Sequence, residues 1–282
     1  MKYTSKQIVE TVGKMLSISK EMNKNGVNWS SDSEEEYDRL SAIIDEQKTN
    51  LSECTYKDYD IAAFNELIKT IEHNGLTNFN MNTFFSKIDH ENYSAYYEYV
   101  HEIPRSAMVN NISGESQLFD KTTNKFNCST IGCVAGFATA VAMNWETPKW
   151  LDGDARDYNS YFEIIACSYL NIPVWVGRNI FYGDEGSVWA FAKLYSHKLG
   201  HAYDHIKLAS EYEHIDEYEF EEYWDSVEID LNSISYKDAV NLLSDIAEGR
   251  IIFGTEIPSG MMLNPNLVSA NKTYGTASGE VE

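Results

Sequence analysis

Three histidines, His197, His201 and His205, stand four residues apart, with Asp204 beside the last. On a helix that spacing stacks the imidazoles on one face, where two can share a divalent metal such as zinc. Glu211, or a carboxylate from another helix, would complete the ligand set. Lys198 stands where a His-Glu-x-x-His peptidase carries its catalytic glutamate, which disfavours zincin chemistry. The enzymatic reading is then a metal-dependent hydrolase of another kind. The competing reading is a polar helix face whose histidines are solvated and hold no metal, so no cofactor is assigned.

Cys128 is the candidate nucleophile. It precedes an apolar segment that reads as a helix, and a helix N-terminus lowers a thiol's pKa. A histidine base within reach would also be required, and the histidines concentrate on a charged helix. The plainer reading makes Cys128, like Cys54, Cys133 and Cys167, a small buried hydrophobe. The four cysteines form no Cys-x-x-Cys pair, which fits a reduced, cytoplasmic setting. The loop from Asp152 to Asp157 resembles a calcium loop, with Glu163 at the twelfth position. Arg156 replaces an oxygen ligand there and Asp157 replaces the turn glycine, so a helix-capping loop is the better account.

Charge separates the remaining classes of function. The chain of 282 residues has 22 Lys and Arg against 44 Asp and Glu, a formal charge of −22. Such a surface repels phosphate, so direct nucleic-acid binding and adhesion to anionic lipid are not expected. Residues 211–230 hold ten carboxylates and no Lys or Arg. Ile215, Phe220, Tyr223, Trp224 and Val227 form an apolar stripe there, which leaves Glu213, Asp216, Glu217, Glu219, Glu221, Glu222 and Asp225 as a candidate binding surface on an amphipathic helix. Carboxylates arrayed on a rigid helix can imitate phosphates and occupy a basic or nucleic-acid-binding protein. A solvated helix face is the ordinary alternative.

The elements that would position these groups are mainly α. Thr4 and Gln7 form a capping-box pattern ahead of Ile8, Val12 and Met15. A second helix is expected from Ser33, with Glu36 completing its box, and a third through Phe64, Leu67 and Ile71 that stops at Asn74-Gly75. These make a helical, bundle-like region over 1–110. The polar stretch between Asn110 and Asn127 reads as an irregular connection. A helical domain over 111–263 follows, packed around a central helix in which Gly132, Gly136 and Ala140 line one face, and 264–282 form a flexible tail. Further helices are expected over 158–170, 187–210, 217–227 and 236–247, the last with Ser235 and Asp238 as cap and Gly249 as stop. Tyr93 to Val100 suits helix or strand, and Ile251 to Phe253 suits a strand. The longest apolar stretch, Ile131 to Met143, is too short to cross a bilayer, and the first residues lack the apolar core of a secretory signal.

Cys128-Ser129-Thr130-Ile131-Gly132-Cys133-Val134-Ala135-Gly136-Phe137-Ala138 resembles a Cys-x-Thr-x-x-Cys-x-Ala-Gly-x-Ala signature found in uncharacterised proteins of tailed bacteriophages and bacteria. Ile103-Pro104 and Met108 upstream, and Leu170 with Ile180-Phe181 downstream, are similar to flanking features of that family. Ser129 departs from its usual glycine, and the helical N-terminus has no counterpart. The resemblance implies a phage origin and no particular chemistry. Together with the charge it leads to an expectation: a non-enzymatic, acidic phage accessory protein that binds another protein in the host cytoplasm. The alternatives are the histidine-centred hydrolase, a DNA-mimic inhibitor and a virion component.

Overall fold

The computed structural model describes residues 3–25, 30–79, 86–88, 108–109, 111–112, 118–127, 130–151, 153–154, 158–181, 235–253 and 261–263. Within them the fold is mainly α. Helix α1 spans Ser5–Asn25, α2 Ser31–Ser52 and α3 Ile61–Asn78. Helix α4 spans Val134–Ala142, α5 Asn159–Leu170, α6 Val174–Phe181 and α7 Tyr236–Ala247.

Local chemistry sets the helix ends. At α1 the Thr4 and Gln7 side chains exchange hydrogen bonds with each other's backbone N–H, at 2.9 and 3.3 Å. Helix α2 begins earlier than Ser33, because Ser30 takes the N-cap and accepts from the Ser33 N–H. Glu36 is therefore not its capping residue and instead pairs with Arg39 at 2.7 Å. Ser235 and Asp238 form a complete capping box on α7. At its other end Gly249, with φ of 68°, lets the Arg250 N–H reach the Asp245 carbonyl. Asn144, in the same left-handed region, closes α4, with N–H bonds from Asn144 to Val141 and from Trp145 to Ala140.

Two helices depart from expectation. Helix α3 does not stop at Asn74-Gly75 but runs on to Asn78. The Asn74 side chain is buried and donates to the Thr70 and Asn124 carbonyls, so the amide is bonded within the fold instead of breaking the helix. Gly75 is a packing glycine: a Cβ there would lie 2.5 Å from Cβ of Tyr236, so its bareness lets α7 close on α3. The central helix is shorter than its apolar run. Thr130–Ile131 form a strand, Gly132 makes a bridge to Phe79, and Cys133 is the N-cap of α4.

The strands are short. β1 (Ser86–Ile88) pairs antiparallel with both β2 (Met108–Val109) and β6 (Thr130–Ile131). β3 (Asn111–Ile112) pairs with β7 (Gly153–Asp154), and β4 (Phe119–Asp120) forms a hairpin with β5 (Lys125–Phe126). β8 (Ile251–Phe253) pairs with β9 (Met261–Leu263). The short apolar run of Ile251 to Phe253, which allowed a strand without requiring one, is β8, whereas the stretch read as an irregular connection contains β3, β4 and β5. The order in it comes from partners elsewhere: the Leu118 N–H donates to Thr147 and the Phe126 N–H to Asn74.

Helices from both sides of residue 110 contribute to one hydrophobic core. Helix α5 packs on α1 and α4, and α7 lies along α3. Phe64, Phe137, Phe162 and Phe181 are its largest fully buried side chains. Phe126 stacks on Phe137 with ring centroids 4.3 Å apart, joining the hairpin to α4. No described helix is long and apolar enough to cross a membrane.

Candidate functional site

The described part of the molecule carries a polar groove along α3. Ala62, Asn65, Glu66, Lys69, Thr70 and His73 recur at the three- and four-residue spacing that puts side chains on one helix face. Phe64, Leu67 and Ile71 of the same helix point into the core, so amphipathicity alone turns the polar stripe outward. The turn of the β4–β5 hairpin, through Thr123 and Asn124, closes the groove's other side around about 680 Å³. That turn is held twice. Asp120 accepts from the hydroxyls of Thr122 and Thr123, at 2.5 and 2.7 Å, and these bonds lower its carboxyl to about 2. Asn74 accepts the Phe126 N–H at 3.3 Å and donates to the Asn124 carbonyl at 3.4 Å.

The groove is built for polar contact. Glu66 accepts from the Tyr169 hydroxyl at 2.8 Å, and burial followed by this bond raises the phenol's pKa. His73 lies seven residues along α3, roughly 10 Å by helical rise. The two are thus too far apart to act as a proton-transfer pair. Lys69 sits between them on the same face and could meet an acceptor.

No family model, curated protein or solved structure matches the chain.

The candidate residues from the sequence mostly fall elsewhere. His197, His201 and His205 lie outside the described residues, as do Cys128 and the surface formed by Glu213, Asp216, Glu217, Glu219, Glu221, Glu222 and Asp225. Among the described residues no three His, Cys, Asp or Glu side chains gather to hold a metal, which leaves the histidine cluster untouched. The thiol at the start of α4 belongs to Cys133. Neighbouring backbone N–H groups favour its thiolate, yet complete burial outweighs them and pushes the thiol up to about 11. Cys54, Cys133 and Cys167 are buried free cysteines, in keeping with a packing role. Glu163, the last residue of the calcium-like spacing, is buried on α5 and bonded by Arg178 of α6 at 2.9 Å. Its carboxylate is committed to the core boundary.

The α3 groove is not among the sites read from the sequence, which followed only the apolar residues of this helix. The signal was present in the recurrence of Asn65, Glu66, Lys69 and His73. The hairpin that walls it depends on contacts fifty residues away and has no local signature beyond Asp120 and Asn124.

Proposed function

We propose that this chain is an acidic protein-binding module, with a phage accessory role as the motif around Cys128 to Ala138 implies, and that it acts through the carboxylates of 211–230. The observation that carries the reading is the charge asymmetry: residues 201–250 hold fourteen acids against three bases, half of the excess negative charge. In sequence four residues separate the acidic stretch from Ser235, the cap of α7, and α7 packs on α3 through the Gly75 and Tyr236 contact. The chemistry favours a basic protein, including one whose own ligand is nucleic acid.

The test replaces Glu213, Asp216, Glu217, Glu219, Glu221, Glu222 and Asp225 with their amides and compares the variant with the parent chain. Each is used to capture proteins from host lysate over a salt series. The reading expects a basic protein that the parent retains at low salt, releases at high salt and the variant does not hold. Capture that ignores both salt and the substitutions would refute it. Native mass with and without a chelator separates the hydrolase alternative: a stoichiometric metal lost on His201→Ala would favour catalysis.

A further inference from the structure

A second groove crosses α1 on the surface where Trp150 packs against the helix. Gly13 and Trp150 are among its lining residues. The indole ring is fixed from within by Tyr158 and Phe162, with centroids 5.8 and 6.2 Å away. Its Cδ1–Nε1 edge lies so near α1 that a Cβ on residue 13 would be 3.0 Å from Cδ1 and 3.1 Å from Nε1. A glycine in mid-helix costs roughly 1 kcal/mol against alanine, and here it allows this close approach.

Trp150 is only 8% exposed, and among the described residues no acceptor meets its Nε1–H. A buried indole N–H ordinarily has a hydrogen-bond partner, and leaving it without one is costly. Lys14, Lys20 and Lys149 line the same groove. Neither Lys14 nor Lys149 forms an ion pair among the described residues; Glu36, which also lines the groove, is bonded by Arg39 and feels the Lys14 charge at longer range. Glu10 and Glu21 complete the rim. In a chain of net charge −22 this places Lys14 and Lys149, together with a donor that has no protein acceptor among the described residues, on one cleft of about 630 Å³.

We propose that the α1–Trp150 groove binds a carboxylate, which accepts the Trp150 Nε1–H and is neutralised by Lys14 and Lys149. The rim carboxylates select against multiply charged anions and tolerate a ligand whose remainder is neutral or basic. The carboxylate belongs either to a free small acid or to a peptide chain. This inference is independent of the acidic segment, because its charge preference is the opposite.

The experiment follows the indole ¹H–¹⁵N cross-peak of Trp150 in the full chain, assigned by its loss in Trp150→Phe. N-acetylglycine is titrated as the free acid, and a capped tripeptide with one central glutamate as the chain-borne one. The expected result is a saturable shift of that cross-peak. Tighter binding of the tripeptide by about tenfold assigns the site to peptides, and equal binding assigns it to free acids. The Lys14→Gln, Lys149→Gln double variant should lose the shift while keeping its far-UV spectrum. A cross-peak that stays still, moves without saturating, responds equally to chloride at matched ionic strength, or still shifts in the double variant would overturn the proposal.

Discussion

Arg178 of α6 holds the carboxylate of Glu163 on α5, Nε to Oε1 at 2.9 Å, with the acid side chain 6% exposed and the arginine 63%. The asymmetry decides what each partner contributes. Deleting the arginine takes a cation away from a buried carboxylate, whereas neutralising the acid leaves the charge on a guanidinium that solvent already reaches. Arg178→Ala should cost about 1.5–3 kcal/mol, towards the lower end because water already reaches the guanidinium. Adding Glu163→Gln to that variant should restore part of the loss. Urea denaturation of the three proteins measures this, and equal stability of the single and double variants would contradict it.

Gly177, the neighbour of Arg178 on α6, packs against Cys167 of α5. A Cβ there would press into Sγ of Cys167 and come within 2.8 Å of the Phe181 ring. Gly177→Ala should destabilise by about 1–3 kcal/mol. The penalty should shrink in a Cys167→Ala background, because the sulfur is the nearest obstacle. A double-mutant cycle reads this as a coupling energy, expected near 1 kcal/mol. Additive effects would show that the helices move apart instead.

The buried thiols set a limit on reactivity. Burial pushes Cys133 up to about 11 and raises Cys167 as well, with the nearby Glu163 charge adding to the second shift. At pH 8 iodoacetamide should leave Cys133 and Cys167 unmodified in the native protein and label both after unfolding, as peptide mass mapping would show. Rapid native labelling of Cys133 would mean that α4 opens readily at its N-terminus.

Asp120 links the hairpin turn to pH. Its folded value of about 2 lies below the ordinary 3.8, chiefly because the Thr122 and Thr123 hydroxyls bond its carboxylate. A depressed carboxyl contributes stability that is complete above its ordinary value and lost as pH falls through the folded one. The effect is local and exposed to solvent, so it belongs to the turn. Thr122→Val should raise the Asp120 midpoint in a carboxyl NMR titration, and an unchanged midpoint would assign the shift to other causes.

The sequence was most legible where one stretch of chain contains its own cause. The Thr4–Gln7 and Ser235–Asp238 boxes and the Gly249 stop are satisfied within one turn, and each appears as read. Legibility failed where the cause is remote. Asn74-Gly75 looks like a terminator until Asn124 and Tyr236 are known to meet it. Residues 128–133 look helical by composition, yet β1 and Phe79 draw Thr130 to Gly132 into extended pairing. Helix α6 was not anticipated, although Pro173 just ahead of it is a common way to begin a helix, its carbonyl accepting the Gly177 N–H. Both grooves were missed for the same reason, since each needs a wall from a distant segment: the hairpin for α3, and Lys149 with Trp150 for α1.

The seating of Tyr236 on Gly75 has a consequence for how the gene could change. Phe181 and α7 are both anchored in the core, so residues 182–234 join two fixed points. Any side chain gained at position 75 would collide with Tyr236 and lift α7 from α3, so a change in the gene at that one codon would reach the far anchor of the connection.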